Sequence, residues 1–326
     1  MGWRAIFYVN VPIGIIGGIA AHFVLPRYHP TVQQKKIDYT GIVLFTLALM
    51  GVALAVNHAQ ISGWGSTLVG CEAAAGLACL ALFVRAERRT HSPMIDLSLF
   101  HHYRLIAGNA TAFLAYYALF AVLFLLPFYF EQVLGYSTLH SGVMPVPASM
   151  AVLAPFAGAA SNRFGSRNLT LAGSIMLTIG CFMLIFTSAT GSPALLVAAM
   201  VILGAGLGIF TPANNRATMA ATPRDKLGVM GGLLNMMRSA GLIFGIDISG
   251  MLFVMLANTD TTSTNLPHRA GNALAFLSTP AFMEGFHGVM ISLAAVALLS
   301  AIMCWFRRHE GMIQTVPAHG ESLELM

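Results

Sequence analysis

The feature that most constrains this chain is a series of long apolar stretches, each separated from the next by a short polar turn. They cover residues 7–25, 39–57, 66–84, 105–130, 141–160, 168–187, 193–212, 233–256 and 286–306. A helix that crosses the hydrocarbon core of a bilayer needs about 20 mostly apolar residues, whereas a membrane β-strand needs about 9–11 with alternating polarity. The stretches have the length and continuity of helices. With 57% hydrophobic and 9% charged residues, the chain falls far short of the roughly 25% charge of soluble domains. Lipid must therefore be its solvent, and the expected class is an all-α membrane protein with nine transmembrane helices. Cys71, Cys79, Cys181 and Cys304 all lie within apolar runs and read as small buried hydrophobes.

The formal charge of +5 could suggest a nucleic-acid partner in a soluble protein, but here the positions of the charges matter more than their sum. The connections after the first, third, fifth, seventh and ninth stretches hold Arg27, Lys35 and Lys36; Arg85, Arg88, Arg89 and Arg104; Arg163 and Arg167; Arg216, Arg224 and Lys226; and Arg307 and Arg308. The opposite side holds only Arg4 and Arg269. Lys and Arg concentrate on the cytoplasmic side of membrane proteins. The expected arrangement is an integral membrane protein with a cytoplasmic C-terminus. No nucleic acid is expected as a partner.

Several segments carry a family resemblance. They are GWRAIFYVNVPIGI (Gly2–Ile15), IDYTGIVL (Ile37–Leu44), SPMIDLSLF (Ser92–Phe100), FYFEQVLGYSTLHSGVMPVP (Phe128–Pro147) and LGVMGGLLNMMRSAGLIFGI (Leu227–Ile246). In this order they resemble the fourteen-helix drug:proton antiporters of the major facilitator superfamily, the EmrB/QacA type. The resemblance implies a partial major facilitator fold that lacks the first five helices. Residues 1–30 would be the last helix of the N-terminal bundle, and 31–104 two linking helices with a cytoplasmic loop. Residues 105–306 would be a complete C-terminal six-helix bundle, and 307–326 a cytoplasmic tail. It also implies proton-coupled efflux of lipophilic or cationic drugs and toxic compounds by alternating access. The alternative is a truncated, non-transporting fragment, inert or paired with a separate N-terminal half. The implied partners are a small lipophilic or cationic substrate, protons, membrane lipids and such a half.

Three acids or bases other than His fall within the apolar stretches: Glu72, Arg238 and Asp247. Each costs about 2.5–3.5 kcal/mol at a helix centre on insertion scales, so each should face protein or water. Glu72 reads as a snorkelling or structurally hydrogen-bonded group. Asp247, near the middle of its stretch, is the candidate for proton coupling; a neutral hydrogen-bonded carboxyl is the other reading. Arg238 lies nine residues away, about 900° of helical turn, and so points to the opposite face. It shares a stripe with Asn235, Gly245 and Ser249 that should face into the bundle. Arg238 and Asn235 are candidate cavity-lining residues, and an arginine reaching back to the headgroups is the alternative.

The fourth stretch carries Phe113, Tyr116, Tyr117, Phe120 and Phe124. Aromatic faces attract cations, so Tyr116, Tyr117 and Phe120 are cavity-lining candidates, with packing or lipid contact as the plain reading. By the resemblance, this stretch and the fifth, seventh and eighth would line the translocation cavity. The segment from Gly158 to Arg167 resembles the superfamily's cytoplasmic loop motif. Gly158 would permit close helix approach, Gly165 a positive φ, and Arg163 and Arg167 would complement a helix C-terminus. Its readings are a gating element and an ordinary basic turn; Asn162 stands where the family often has Asp. The pairs Gly14/Gly18, Gly204/Gly208 and Gly241/Gly245 suit close helix crossings. Pro145, Pro147 and Pro155 suggest a bent fifth helix. No phosphate loop or HExxH motif is present, and His91, His101 and His102 show no metal-ligand spacing. No cofactor and no enzymatic activity are expected.

Overall fold

The computed structural model describes residues 5–24, 38–62, 65–90, 102–137, 145–188, 192–223, 226–257 and 279–306. Arg4, Arg27, Lys35, Lys36, His91, His101, Arg224, Arg269, Arg307, Arg308 and the tail 307–326 lie outside them, as does the segment SPMIDLSLF. The chain divides into two compact units, residues 1–36 and 37–326. The first holds one helix, α1 (Ala5–Val24). The second holds α2 (Tyr39–Ser62), α3 (Thr67–Glu87), α4 (Tyr103–Phe128), α5 (Pro145–Phe164), α6 (Ser166–Ile185), α7 (Pro193–Ala220), α8 (Leu227–Leu256) and α9 (Thr279–Phe306). Each expected stretch has become a helix.

The boundaries differ from the sequence reading where a helix continues past its apolar part. α7 runs through Pro212 and the polar residues Asn214 and Asn215 to Ala220, and α8 begins six residues before the expected 233. Among the described residues, seven helices are long and apolar enough to cross a membrane; α1 and α5 contribute the shorter apolar stretches Asn10–Val24 and Ala148–Ser161. In α5 the apolar character is diluted by Ser149, Pro155 and Ser161. Lipid-facing surface is evident in the second unit, where Phe156, Phe182, Phe186 and Trp305 are all more than half exposed.

Within that unit α4 packs along α8, α9 and α7, while α6 lies between α7 and α9, and α5 lies along α7. The common core collects Leu125, Leu126, Tyr129, Leu177, Met200, Leu203, Phe210, Phe253, Phe282 and Phe286. α2 and α3 form a separate hairpin. Its Leu44, Phe45, Phe83 and Val84 meet Leu105 of α4 and Met230, Leu233 and Leu234 of α8. Without water in the core, buried polar groups must find protein partners. Asn214 donates from α7 to the Gly108 carbonyl of α4 at 2.9 Å, and Ser300 donates from α9 to the Thr111 carbonyl at 3.4 Å. Thr111 and Ser174 return their hydroxyl protons to carbonyls one turn back, at 2.7 and 2.9 Å.

Two cysteines depart from expectation. Cys181 and Cys304 are buried, but Cys79 is half-buried and Cys71 is exposed on α3. An apolar helix that lies at the edge of a bundle turns part of its apolar surface to lipid, so an apolar neighbourhood in sequence does not imply burial in protein.

Candidate functional site

Arg238 is the polar centre of the seam between α4, α7 and α8. It stands about 5 Å before the midpoint of α8, and Asp247 about 8 Å after it, taking 1.5 Å per residue. Arg238, rather than Asp247, is thus the charge nearer the helix centre. The side chain of Arg238 is half-buried, and one guanidinium NH2 donates to Asn215 Oδ1 of α7. Its guanidinium carbon lies 5.5 Å from the centroid of the Tyr116 ring of α4, within cation–π range. The Tyr116 hydroxyl and the Thr211 hydroxyl of α7 are 3.3 Å apart, and Phe120 stacks on Tyr116 at 6.1 Å between centroids, 18° from parallel. Three helices thereby converge on one cation.

The seam is tight because it is built on glycine. A Cβ on Gly241 would stand 2.5 Å from the Phe113 carbonyl oxygen, and one on Gly245 2.5 Å from that of Tyr117. Backbone cannot yield at such distances, so α8 can pass α4 here only without side chains. The G-x-x-x-G spacing legible in sequence is thus the crossing point that brings Arg238 to Tyr116. The expected stripe divides at this crossing. Gly245 and Ser249 are buried, while Asn235 is exposed.

Tyr117 turns toward the other side of the seam, 6.2 Å from Phe113, whose ring is 6.3 Å from Phe244 of α8. Asp247 is half-buried. The sequence reading missed Asn215 and Thr211. The signal available was the polar run Thr-Pro-Ala-Asn-Asn (211–215), which looks like the end of a helix when Pro212 is taken as a breaker. Neighbouring helices can satisfy the carbonyl freed by a proline, so Pro212 lies inside α7 instead.

The segment from Gly158 to Arg167 forms the turn between α5 and α6. Gly165 has φ +80°, the left-handed conformation expected of it, and Arg163 is exposed in the last turn of α5. Two expectations change. A Cβ on Gly158 would meet nothing within 4 Å, so close helix approach within the described residues does not require this glycine. Arg167 is in the first turn of α6, not at a helix C-terminus of its own. Its guanidinium instead donates to the Trp305 carbonyl at 2.8 Å, one residue before the end of α9. The last carbonyls of a helix lack intrahelical donors and carry partial negative charge, so an arginine from another helix is a suitable cap. Glu72 accepts from His58 Nδ1 at 2.8 and 2.9 Å, joining α3 to α2 as the structural alternative anticipated.

The family model that matches residues 1–246 of this chain describes the Major Facilitator Superfamily. This chain belongs to that superfamily. Among curated relatives of this major facilitator chain is the riboflavin transporter RibZ of Clostridioides difficile (strain 630), 34% identical over 254 residues, 77% of this chain and 54% of that protein. The multidrug resistance protein Stp of Mycobacterium tuberculosis is 32% identical over 255 residues, covering 76% and 46%. The tetracenomycin C resistance and export protein of Streptomyces glaucescens is 28% identical over 254 residues, covering 77% and 47%. The chain spans about half the length of these relatives. It is an integral membrane protein of a transporter family, not an enzyme.

Proposed function

We propose that this chain supplies the C-terminal transport half of a proton-coupled exporter of lipophilic or cationic compounds, of the fourteen-helix type, working by alternating access. The observation that carries the reading is the Arg238–Asn215–Tyr116–Thr211 cluster. A charge in the middle of a spanning helix is costly in lipid, and intramembrane polar groups typically mark substrate or ion pathways. The relatives named for multidrug resistance and for tetracenomycin C export support the direction of transport, and that named for riboflavin supports a small-molecule cargo. The partner in this reading is an N-terminal half that rocks against this one around a site near the midplane.

In that cycle Asp247 takes up a proton in one arrangement and releases it in the other, which changes the cost of its charge within α8. Arg238, Tyr116 and Phe120 form one side of the substrate path; Asn235, on the exposed face of α8, and Tyr117, across the seam, line it beyond that cluster. Neutral lipophilic compounds can use the whole wall, and cationic ones the aromatic face of α4 away from the guanidinium. The turn at Gly158, Arg163, Gly165 and Arg167 acts as a gate on the cytoplasmic side of a bacterial inner membrane, moving α9 through the Arg167–Trp305 bond.

The test is proton-driven efflux of a lipophilic dye from cells expressing the chain, alone and with a separately encoded N-terminal half. Asp247→Asn should reduce the proton-dependent component at least tenfold while the protein still reaches the membrane. Unchanged coupling would remove Asp247 from the mechanism. Absence of efflux from both wild-type arrangements would remove the transport reading.

A further inference from the structure

We propose that α3 carries a binding site for one anionic phospholipid. A groove of about 570 Å³ runs along this helix, lined by Leu77, Leu80, Ala81, Val84, Arg85, Arg88 and Arg89. These positions recur at helical spacing, so they form one continuous face. The arginines fall in the last turn of α3 and just after it, and the apolar residues lie on the side of the membrane interior. From Leu77 to Val84 the helix rises about 10 Å, and half of a typical hydrocarbon core is about 15 Å. The groove therefore has the polarity and direction of a lipid, with cations where phosphates lie and aliphatic side chains where the acyl chain begins.

Charge complementarity identifies the occupant. Arg85, Arg88 and Arg89 are all exposed, and among the described residues none of their guanidinium groups takes a hydrogen bond or an ion pair. The one carboxylate in this part of the helix, Glu87, is turned into the protein and is only 4% exposed. Guanidinium groups bind phosphate oxygens through paired N–H donors, and basic pockets beside membrane helices favour acidic headgroups. A free phosphate ion would use the arginines but not Leu77, Leu80, Ala81 and Val84. A lipid uses both parts.

The experiment uses the full chain in phosphatidylcholine nanodiscs doped with one-tenth phosphatidylglycerol, with lipids retained on the released protein counted by native mass spectrometry. Wild type should retain phosphatidylglycerol at least fivefold above its share of the bilayer. Replacing Arg85, Arg88 and Arg89 together by Gln should bring retention down to that share. Ala81→Trp, which fills the groove and keeps every charge, should do the same, with helical content checked by circular dichroism for both proteins. Retention unchanged in the triple variant would overturn the site. So would loss in the triple variant but not in Ala81→Trp, because general attraction between a basic helix end and an acidic bilayer would then explain the enrichment.

Discussion

The seam between α4 and α8 and the hairpin of α2 and α3 use the same two devices with different consequences. Each pair of helices crosses on glycine: Gly241 and Gly245 against α4, and Gly51 against Gly76, where an added Cβ would come within 2.8 Å of the facing Cα. Each has one hydrogen-bonded polar pair at or beside it: Arg238 of α8 with Asn215 of the neighbouring α7 in the first, and His58 of α2 with Glu72 of α3 in the second. Yet in the most apolar part of each helix 44% of the residues of α4 and 33% of those of α8 are buried, against 17% in both α2 and α3. The polar pair of the bundle is near mid-helix and draws in a third helix through Tyr116. That of the hairpin is local, with His58 36% and Glu72 21% exposed. The glycines let two helices meet in both places, but only in the bundle does the meeting point organise its surroundings.

The largest effect should come from filling the bundle crossing. Gly245→Leu places a side chain on the Tyr117 backbone, which can move only by separating α8 from α4. Overpacking commonly costs about 1–3 kcal/mol and occasionally more; with main chain as the obstacle, the upper end is expected. Gly232→Ala provides the comparison, because a Cβ there meets nothing within 4 Å and alanine is the better helix former by about 1 kcal/mol. In detergent, thermal unfolding followed by size-exclusion chromatography should show Gly245→Leu aggregated or strongly destabilised and Gly232→Ala equal to or above wild type. A well-behaved Gly245→Leu protein would mean that the seam is as forgiving as the hairpin.

Next in size is Arg238. Arg238→Ala leaves Asn215 Oδ1 without its donor and removes the cation from Tyr116; an unsatisfied group costs about 1–3 kcal/mol when buried, so the lower end is expected for the half-buried Asn215. Arg238→Lys keeps the charge but loses the planar fork that spans Asn215 and the ring. The expected order in thermal stability is wild type, then lysine, then alanine. If lysine equals wild type, charge alone holds the seam together and the geometry around Tyr116 is incidental.

Much of this was legible in sequence because the bilayer imposes strong rules. Apolar length placed every helix, and the Gly241/Gly245 spacing anticipated a crossing, whereas Gly14 and Gly18, at the same spacing, meet nothing within 4 Å among the described residues; nine residues of helix put Arg238 and Asp247 on different faces. What stayed hidden depended on partners far apart in the chain. Asn215 looked like loop because hydropathy fades before α7 ends. Arg167 reads as an ordinary turn cation until α9 brings the Trp305 carbonyl to it. Gly158 drew attention by its motif, yet a Cβ there would meet nothing within 4 Å among the described residues. The exposure of Cys71 follows from α3 lying at the edge, which no local pattern records.

The smallest effect tests the hairpin. His58 and Glu72 are partly exposed, and ion pairs in such settings contribute about 0.2–1 kcal/mol. A double-mutant cycle with His58→Gln and Glu72→Gln isolates their coupling from the loss of either side chain alone. If the hairpin is loosely held, the coupling should be below about 1 kcal/mol, and both single variants should unfold within a few degrees of wild type. A coupling of about 3 kcal/mol or more would mean that lipid shields the pair from water as a protein interior would. The low burial of α2 and α3 would then understate how firmly they are joined, and the contrast between hairpin and bundle would reduce to one of position along the membrane normal.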